Sequence, residues 1–293
     1  MMNRLRRLVQ TLFAIITNAY LLFPFGSAIY QGPLKSLCTP GLHCYSCPSA
    51  VLSCPVGALQ NMLGSLRLSL QSGVFHIGSL VVGYLGIIGV ISGRFPCGWL
   101  CPFGLIQDLL HKIPVPKLKL PSAFNYLRYV VLVFLVILLP LFWLDDLGMG
   151  QPWFCKLLCP SGTLTGALPL LVIKPALWQN IGFFFWHKIF WLLVIIIGTI
   201  VISRFFCRIL CPLGAFYGLF NRVSFFCLQF DEEKCVHCLA CERRCPTGCK
   251  PYKDANSAAC INCMRCIEAC RFGALAFQRR PAPAAPRTDK AHS

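Results

Sequence analysis

The sequence predicts an all-α integral membrane protein built from two pseudo-symmetric repeats and extended by a small cysteine-rich α+β domain. Three observations predict it. Hydrophobic residues make up 56% of the 293 residues and charged residues only 13%, against roughly a quarter charged in an ordinary soluble domain. Uncharged runs long enough to cross a bilayer recur along the chain, and 20 cysteines fall into spaced motifs. A chain this long builds a hydrophobic core without a disulfide scaffold, so the thiols need a chemical explanation. The net charge of +17 would ordinarily suggest nucleic acid or an anionic surface. Here it fits basic cytoplasmic loops and compensation of anionic cysteine-ligated centres, with no nucleic-acid partner.

Four transmembrane helices are expected. Leu8 to Tyr30 carries no charge, and a run of that length at ~1.5 Å per residue gives about 35 Å, enough to span. Arg4, Arg6 and Arg7 precede it, but the run is too long for a signal-peptide core and no small-residue cleavage site follows. A second span is expected between Arg67 and Arg94, a third centred on Tyr129 to Leu144, and a fourth ending at Ser203. With the N-terminus cytoplasmic, Arg4, Arg6, Arg7, Arg94, Lys112, Arg204 and their neighbours gather inside, while Lys35, Arg67, Lys156, Lys174 and Lys188 lie outside. That bias satisfies the positive-inside rule and puts both termini in the cytoplasm of a prokaryotic inner membrane. The expected division is a membrane domain over 1–225, a cluster-binding domain over 226–278 and a disordered tail over 279–293.

The membrane domain contains a repeat, at about 38–120 and 150–225. Cys97-Gly-Trp-Leu-Cys101-Pro102 matches Cys207-Arg-Ile-Leu-Cys211-Pro212, and Cys54-Pro55-Val-Gly57 matches Cys159-Pro160-Ser-Gly162. Each Cys-Pro step reads as a helix start, with proline at the first helical position and cysteine at the N-cap, where backbone N–H groups stabilise a thiolate. The segments after Pro102 and Pro212 are short and read as re-entrant or interfacial helices. Packing the repeats about a pseudo-two-fold axis would bring Cys97, Cys101, Cys207 and Cys211 together as one inner site, the ligand number of an iron–sulfur cluster or a structural zinc. On the outer side Cys38, Cys44, Cys47, Cys54, Cys155 and Cys159 are candidates for one more. The preferred set is Cys44, Cys47 and Cys54 with Cys155 or Cys159, and the sequence leaves the choice open. Buried thiols or outer-face disulfides are the plain alternative.

The C-terminal motifs are the most specific. Cys235-x-x-Cys238-x-x-Cys241-x-x-x-Cys245-Pro246 precedes Cys260-x-x-Cys263-x-x-Cys266-x-x-x-Cys270. Two such runs in one small domain point to two [4Fe–4S] clusters, the fourth cysteine of each run ligating the other cluster. Cys235, Cys238, Cys241 and Cys270 then hold the first, and Cys260, Cys263, Cys266 and Cys245 the second. Cys227 and Cys249 are left over, and Cys249 reads as packing. Arg271 stands where proline usually follows.

With these motifs the chain resembles the NapH and NosR type of membrane polyferredoxin, from about Arg4 to Phe277. The resemblance implies four spans, CxxxCP motifs, a cytoplasmic dicluster ferredoxin domain, and electron passage between the quinol pool or cytoplasmic donors and periplasmic partners within a membrane redox complex. A third CxxxCP, Cys155 to Cys159, departs from the simplest NapH pattern and favours an extended electron path.

No catalytic triad, phosphate loop or nucleotide fingerprint is present, so the expected function is electron conduction, with the chemistry carried by cofactors. One or two clusters in the membrane domain would add to the two in the ferredoxin domain. Two sites near opposite faces of a ~30 Å hydrocarbon core would be far apart unless re-entrant segments bring them inward. His76 and His187 fall at equivalent places near the outer ends of spans two and four, and are candidates for quinol or haem contact against the plain reading of interfacial histidines. Two competing functions are a transmembrane thiol–disulfide relay through the CxxxCP pairs and a membrane anchor or assembly factor of an oxidoreductase.

Overall fold

The structure is a computed structural model that describes residues 2–20, 29–73, 79–118, 120–146 and 148–280. Its helical body begins with α1 (Met2–Thr17), α2 (Pro55–Ser72) and α3 (Ser79–Ser92). Two short helices, α4 (Phe95–Trp99) and α5 (Pro102–Leu110), follow. A long helix, α6 (Ala123–Phe142), leads to α7 (Trp153–Leu157), α8 (Gly162–Ile173) and a second long helix, α9 (Phe183–Val201). The body closes with α10 (Phe205–Ile209) and α11 (Pro212–Phe220). The C-terminal module is a two-stranded antiparallel sheet, β1 (Phe226–Phe230) against β2 (Leu275–Arg279), enclosing α12 (Ala240–Arg244) and α13 (Arg265–Ala269).

Among the described residues, α6 and α9 are long and apolar enough to cross a membrane, and they coincide with the third and fourth expected spans. The first two expected spans are not seen as single long helices among the described residues. The apolar run between Arg67 and Arg94 is divided: α2 ends at Gly73, which adopts a left-handed φ of 67° as a helix C-cap, and α3 starts afresh at Ser79. The first helix ends at Thr17, and residues 21–28 of the expected span lie outside the described residues, as does His76. Of the expected tail, Arg279 ends β2 and Arg280 donates through Nε to the Ser224 carbonyl at 3.0 Å; residues 281–293 lie outside the described residues.

Helix α1 is built inside out. Its buried positions are Arg6, Gln10 and Thr17, while Leu8, Leu12, Ile15 and Ile16 are exposed. In water the apolar stripe would face the core; in lipid the polar face turns inward to find partners. Helix α9 likewise exposes Trp186, Phe190, Leu193 and Ile197. Arg6 Nη1 and Gln10 Nε2 both donate to the Gly98 carbonyl, at 3.2 and 2.9 Å.

Three arginines meet one carboxylate. Asp108 on α5 accepts from Arg6 Nη2 at 2.7 Å and from Arg204 Nε and Nη2 at 3.0 and 2.7 Å, with Arg265 Nη2 of the module 3.5 Å away. Burial alone would raise the Asp108 carboxyl, but the guanidinium groups of Arg204, Arg6 and Arg265 hold it below the usual carboxylate range. Its contribution to stability is therefore present above that range and lost as pH falls below it. Replacing Asp108 by Asn would leave buried guanidinium groups uncompensated, and is expected to destabilise the fold by about 3–5 kcal/mol. A lowered thermal unfolding midpoint of the detergent-solubilised protein checks this.

Candidate iron–sulfur sites

The three CxxxCP motifs fold into one turn. In each, a five-residue helix carries the first cysteine at its third position, and a single carbonyl accepts two N–H groups. Pro96 O accepts from Leu100 and Cys101, Phe154 O from Leu158 and Cys159, and Phe206 O from Leu210 and Cys211. Proline then starts the next helix with the cysteine at its N-cap. At the four Cys-Pro steps matched between the repeats the thiol faces the N–H of the glycine three residues on: Gly57 for Cys54, Gly104 for Cys101, Gly162 for Cys159 and Gly214 for Cys211.

Two of these turns are locked reciprocally. Arg94 Nη2 donates to the Cys207 carbonyl at 3.2 Å, and Arg204 Nη1 donates to the Cys97 carbonyl at 2.9 Å. The exchange brings Cys97, Cys101, Cys207 and Cys211 together, every pair within electrostatic range. Arg94 and Arg204 are fully buried beside them. Arg204 has Asp108, whereas the ion pairs among the described residues leave Arg94 and the equally buried Arg128 without a carboxylate. A buried guanidinium needs a counter-charge, and a set of thiolates or an anionic cluster would supply it.

On the other side of this group, Cys44, Cys54, Cys155 and Cys159 also lie pairwise within electrostatic range. They line a cavity of about 410 Å³ together with Cys38 and His43. Repeat two contributes its whole CxxxCP motif. Repeat one has Ala50 where Cys155 has its counterpart, and Cys44 from the preceding loop takes that place. Cys47, in the preferred sequence set, is turned toward Asn18 and Ser49, with its sulfur 3.6 Å from Asn18 Oδ1 and 3.4 Å from Ser49 Oγ.

The loop before Cys44 dips to the inner thiols: a Cβ on Gly41 would lie 2.9 Å from Cys101 Cα. Along α1, Gln10 marks the inner turn and Thr17, whose carbonyl accepts from Val51 N, marks the outer loop. Seven residues of helix separate the two levels by roughly 10 Å, far less than the ~30 Å thickness of a hydrocarbon core.

In the module, Cys235, Cys238, Cys241 and Cys270 line one cavity, and Cys245, Cys260, Cys263 and Cys266 line another. The two CxxCxxC loops share an unusual backbone, with left-handed φ at His237 and Leu239 in the first and at Asn262 and Met264 in the second. Non-glycine residues adopt that region only where the surroundings over-determine it. Hydrogen bonds from the Cys249 thiol, Thr247 and the local backbone, working against burial, lower the Cys245 thiol from its usual value. Cys249, expected only to pack, thus lines the second cavity and donates its N–H to Cys245 Sγ at 3.2 Å. Cys227 is buried on β1. Among the described residues, no three His, Cys, Asp or Glu side chains converge on a point that would hold a single metal ion.

The second of these loops sits directly on the inner site. Trp99 Nε1 donates to the Asn262 carbonyl at 3.0 Å, Asn262 Nδ2 to Ser92 O at 3.1 Å and Asn221 Nδ2 to Cys260 O at 2.7 Å. Arg94 Nη1 and Arg128 Nη2 both donate to the Ala258 carbonyl, at 2.9 and 3.0 Å.

Sequence reasoning missed several groups. Gln107 Nε2 donates to Cys207 Sγ at 3.0 Å, and Gln60 Nε2 donates to Cys155 Sγ at 3.3 Å. Each glutamine stands six residues after a Cys-Pro cysteine of repeat one and reaches the first cysteine of a CxxxCP motif in repeat two, an offset that comparing the two Cys-Pro segments of repeat one could have found. His43 is buried on the outer cavity with Nε2 unpartnered, and Tyr217, buried near Cys97 and Cys101, has an unpartnered hydroxyl. His187 stacks on Phe183 with ring centroids 6.2 Å apart and meets Trp191 edge-on. It is not among the residues lining the cysteine cavity, but its neighbour Lys188 reaches electrostatic range of Cys44 and Cys155.

Comparison with known proteins follows the same residues. A family model described as a 4Fe-4S binding domain matches twice, at 75–121 and 184–226, and a second model of that description matches 228–250. The chain is 31% identical over 201 residues to the uncharacterized protein MJ0749 of Methanocaldococcus jannaschii, covering 65% of this chain and 67% of the relative. It is 32% identical over 215 residues to MJ0750 of the same organism, covering 69% and 78%. The regulatory protein NosR of Pseudomonas aeruginosa is 26% identical over 158 residues, covering 51% of this chain and 19% of NosR. No solved structure matches.

The close docking of the two parts is testable at Gly98, where a Cβ would run into the Ile261 carbonyl. Overpacking of this kind costs about 1–3 kcal/mol. Gly98→Ala is expected to raise the rate at which limited proteolysis releases the module by about tenfold.

Proposed function

Because the chain belongs to the NapH and NosR type of polyferredoxin, we propose that it carries electrons across the membrane through four iron–sulfur clusters, two in the module and two in the helical body. It is a membrane-associated iron–sulfur electron-transfer protein. The finer reading is a multi-pass protein of a prokaryotic inner membrane, with both termini cytoplasmic and the two repeats related by a pseudo-two-fold axis. Its electrons would pass between the module or the quinol pool and a redox partner at the outer face.

Cys235, Cys238, Cys241 and Cys270 would hold one cluster, and Cys245, Cys260, Cys263 and Cys266 the second. Cys97, Cys101, Cys207 and Cys211 would hold a third, and Cys44, Cys54, Cys155 and Cys159 the fourth. Bound clusters supply one-electron storage; the residues supply the rest. Arg94 and Arg204 balance thiolate charge at the inner site, while Gln107 and Gln60 donate hydrogen bonds to sulfur, one of the means by which a protein sets cluster potential. The Gly41 loop and the Asn262 loop keep successive sites close. The observation that carries this reading is the inner group, four thiols drawn together by two reciprocally placed buried arginines, one of which has no carboxylate partner among the described residues.

Metal analysis of anaerobically purified protein tests it. Four clusters predict about sixteen iron atoms per chain, and the module alone about eight. Cys44→Ser is expected to remove about four, and Cys47→Ser none. A count near eight, with Cys97, Cys101, Cys207 and Cys211 open to alkylation, would replace this reading with a thiol–disulfide relay.

Potentiometric titration followed by electron paramagnetic resonance gives a second test. Gln107→Leu removes a donor worth about 1 kcal/mol to a sulfur that gains negative charge on reduction. It is expected to lower the inner cluster's potential by roughly 40 mV, at 59 mV per tenfold for one electron, leaving the module signals in place.

A further inference from the structure

A second cavity, of about 400 Å³, opens where the helical body meets the module and is lined by Arg265, which also reaches Asp108. Arg7 reaches it from α1, His111 from the end of α5, and Arg243, Arg244 and Arg265 from the module. Glu268 is the one acid among its described lining residues. Four arginines facing one concave space repel each other unless an anion sits among them.

In the wall, Arg265, Arg243 and His111 each have a partner. Arg265 Nη2 is 3.5 Å from Asp108, Arg243 Nη2 donates to the Cys238 carbonyl at 3.1 Å, and His111 Nδ1 lies 3.2 Å from the Thr199 carbonyl. The volume lies within the range of small-ligand pockets. The walls carry no Phe, Tyr or Trp, which disfavours a ligand recognised through a stacked ring system. They suit a compact oxyanion with several acceptors, which arginine binds in bidentate fashion.

We propose that this cavity binds a phosphate group, which ties the module to the helical body. The phosphate could be the headgroup of an anionic phospholipid or free in solution. The ends of α1, α5 and α9 all reach the cavity, through Arg7, His111 and Ser203, and basic pockets between the cytoplasmic ends of membrane helices are where anionic headgroups bind. The lipid source rests on the membrane reading above; the phosphate site itself does not.

The test uses the full chain with its clusters in nanodiscs. One arm compares phosphatidylcholine alone with phosphatidylcholine plus phosphatidylglycerol; the other adds inorganic phosphate to phosphatidylcholine nanodiscs, against chloride at equal ionic strength. Protection of the module from proteolysis is read as a function of each ligand. Saturable protection by phosphatidylglycerol alone assigns the lipid, protection by inorganic phosphate alone assigns the soluble anion, and either supports the site. The double variant Arg7→Gln, Arg244→Gln is expected to bind about twenty-five-fold more weakly, two arginines at about fivefold each. Iron content and visible absorption are read on the same samples. Their loss would bear on the cluster assignment, and Arg244→Gln alone would then be compared, with an expected loss of about fivefold. Protection by neither ligand, or protection unchanged in the variants, overturns the proposal.

Discussion

The helical body is organised around cations buried where no water can solvate them. Arg6, Arg94, Arg128 and Arg204 are all essentially inaccessible, and an ionised group taken out of water must find opposite charge or several strong acceptors. Asp108 answers for Arg6 and Arg204 and draws in Arg265 from the module. Arg94 has instead the carbonyls of Cys207 and Ala258 and the thiol of Cys97. Satisfying these four side chains forces α1, both inner CxxxCP turns and the second module loop into one place. The site is thus a consequence of the charge problem, and the same charges suit the anionic centres proposed to fill it.

A local unit is used three times with different surroundings. The turn in which one carbonyl accepts two N–H groups recurs at Cys101, Cys159 and Cys211. Where two such turns face each other, as at the inner site, each contributes both cysteines. At the outer site the first repeat has Ala50 in place of a cysteine, and Cys44 enters from a loop that also packs against Cys101. Through Gly41 that loop ties the outer site to the inner one.

The boundary between the two parts is polar and specific. Asn221, Asn262, Trp99, Arg94 and Arg128 all bond to backbone groups across it. Backbone acceptors fix position more firmly than mobile side chains, because the acceptor has no rotamers to lose. A conduit in which successive centres must keep their spacing is served by such an interface. The inside-out pattern of α1 carries this arrangement through the body, its polar face on the Gly98 turn and its apolar face outward.

Much of this was legible in the residues alone. Cysteine spacing is a local property, so the two CxxCxxCxxxC runs specified which thiols line each module cavity, and the Cys-Pro steps specified helix starts at Cys54, Cys101, Cys159 and Cys211. Composition and the apolar runs centred on Tyr129 to Leu144 and ending at Ser203 likewise located α6 and α9, each of which takes in one basic residue, Arg128 and Lys188. What spacing along the chain could not decide was depth and partner choice. The direction in which Cys47 turns, and the meeting of both Cys155 and Cys159 with Cys44, depend on how distant loops fold, and the roles of Gln60, Gln107 and Arg94 depend on reaching across to the opposite repeat. The break at Gly73 escaped notice because hydrophobicity does not register a single left-handed residue. Local chemistry is written in neighbours, whereas the meeting of distant side chains is settled only when the whole chain has buried its charges.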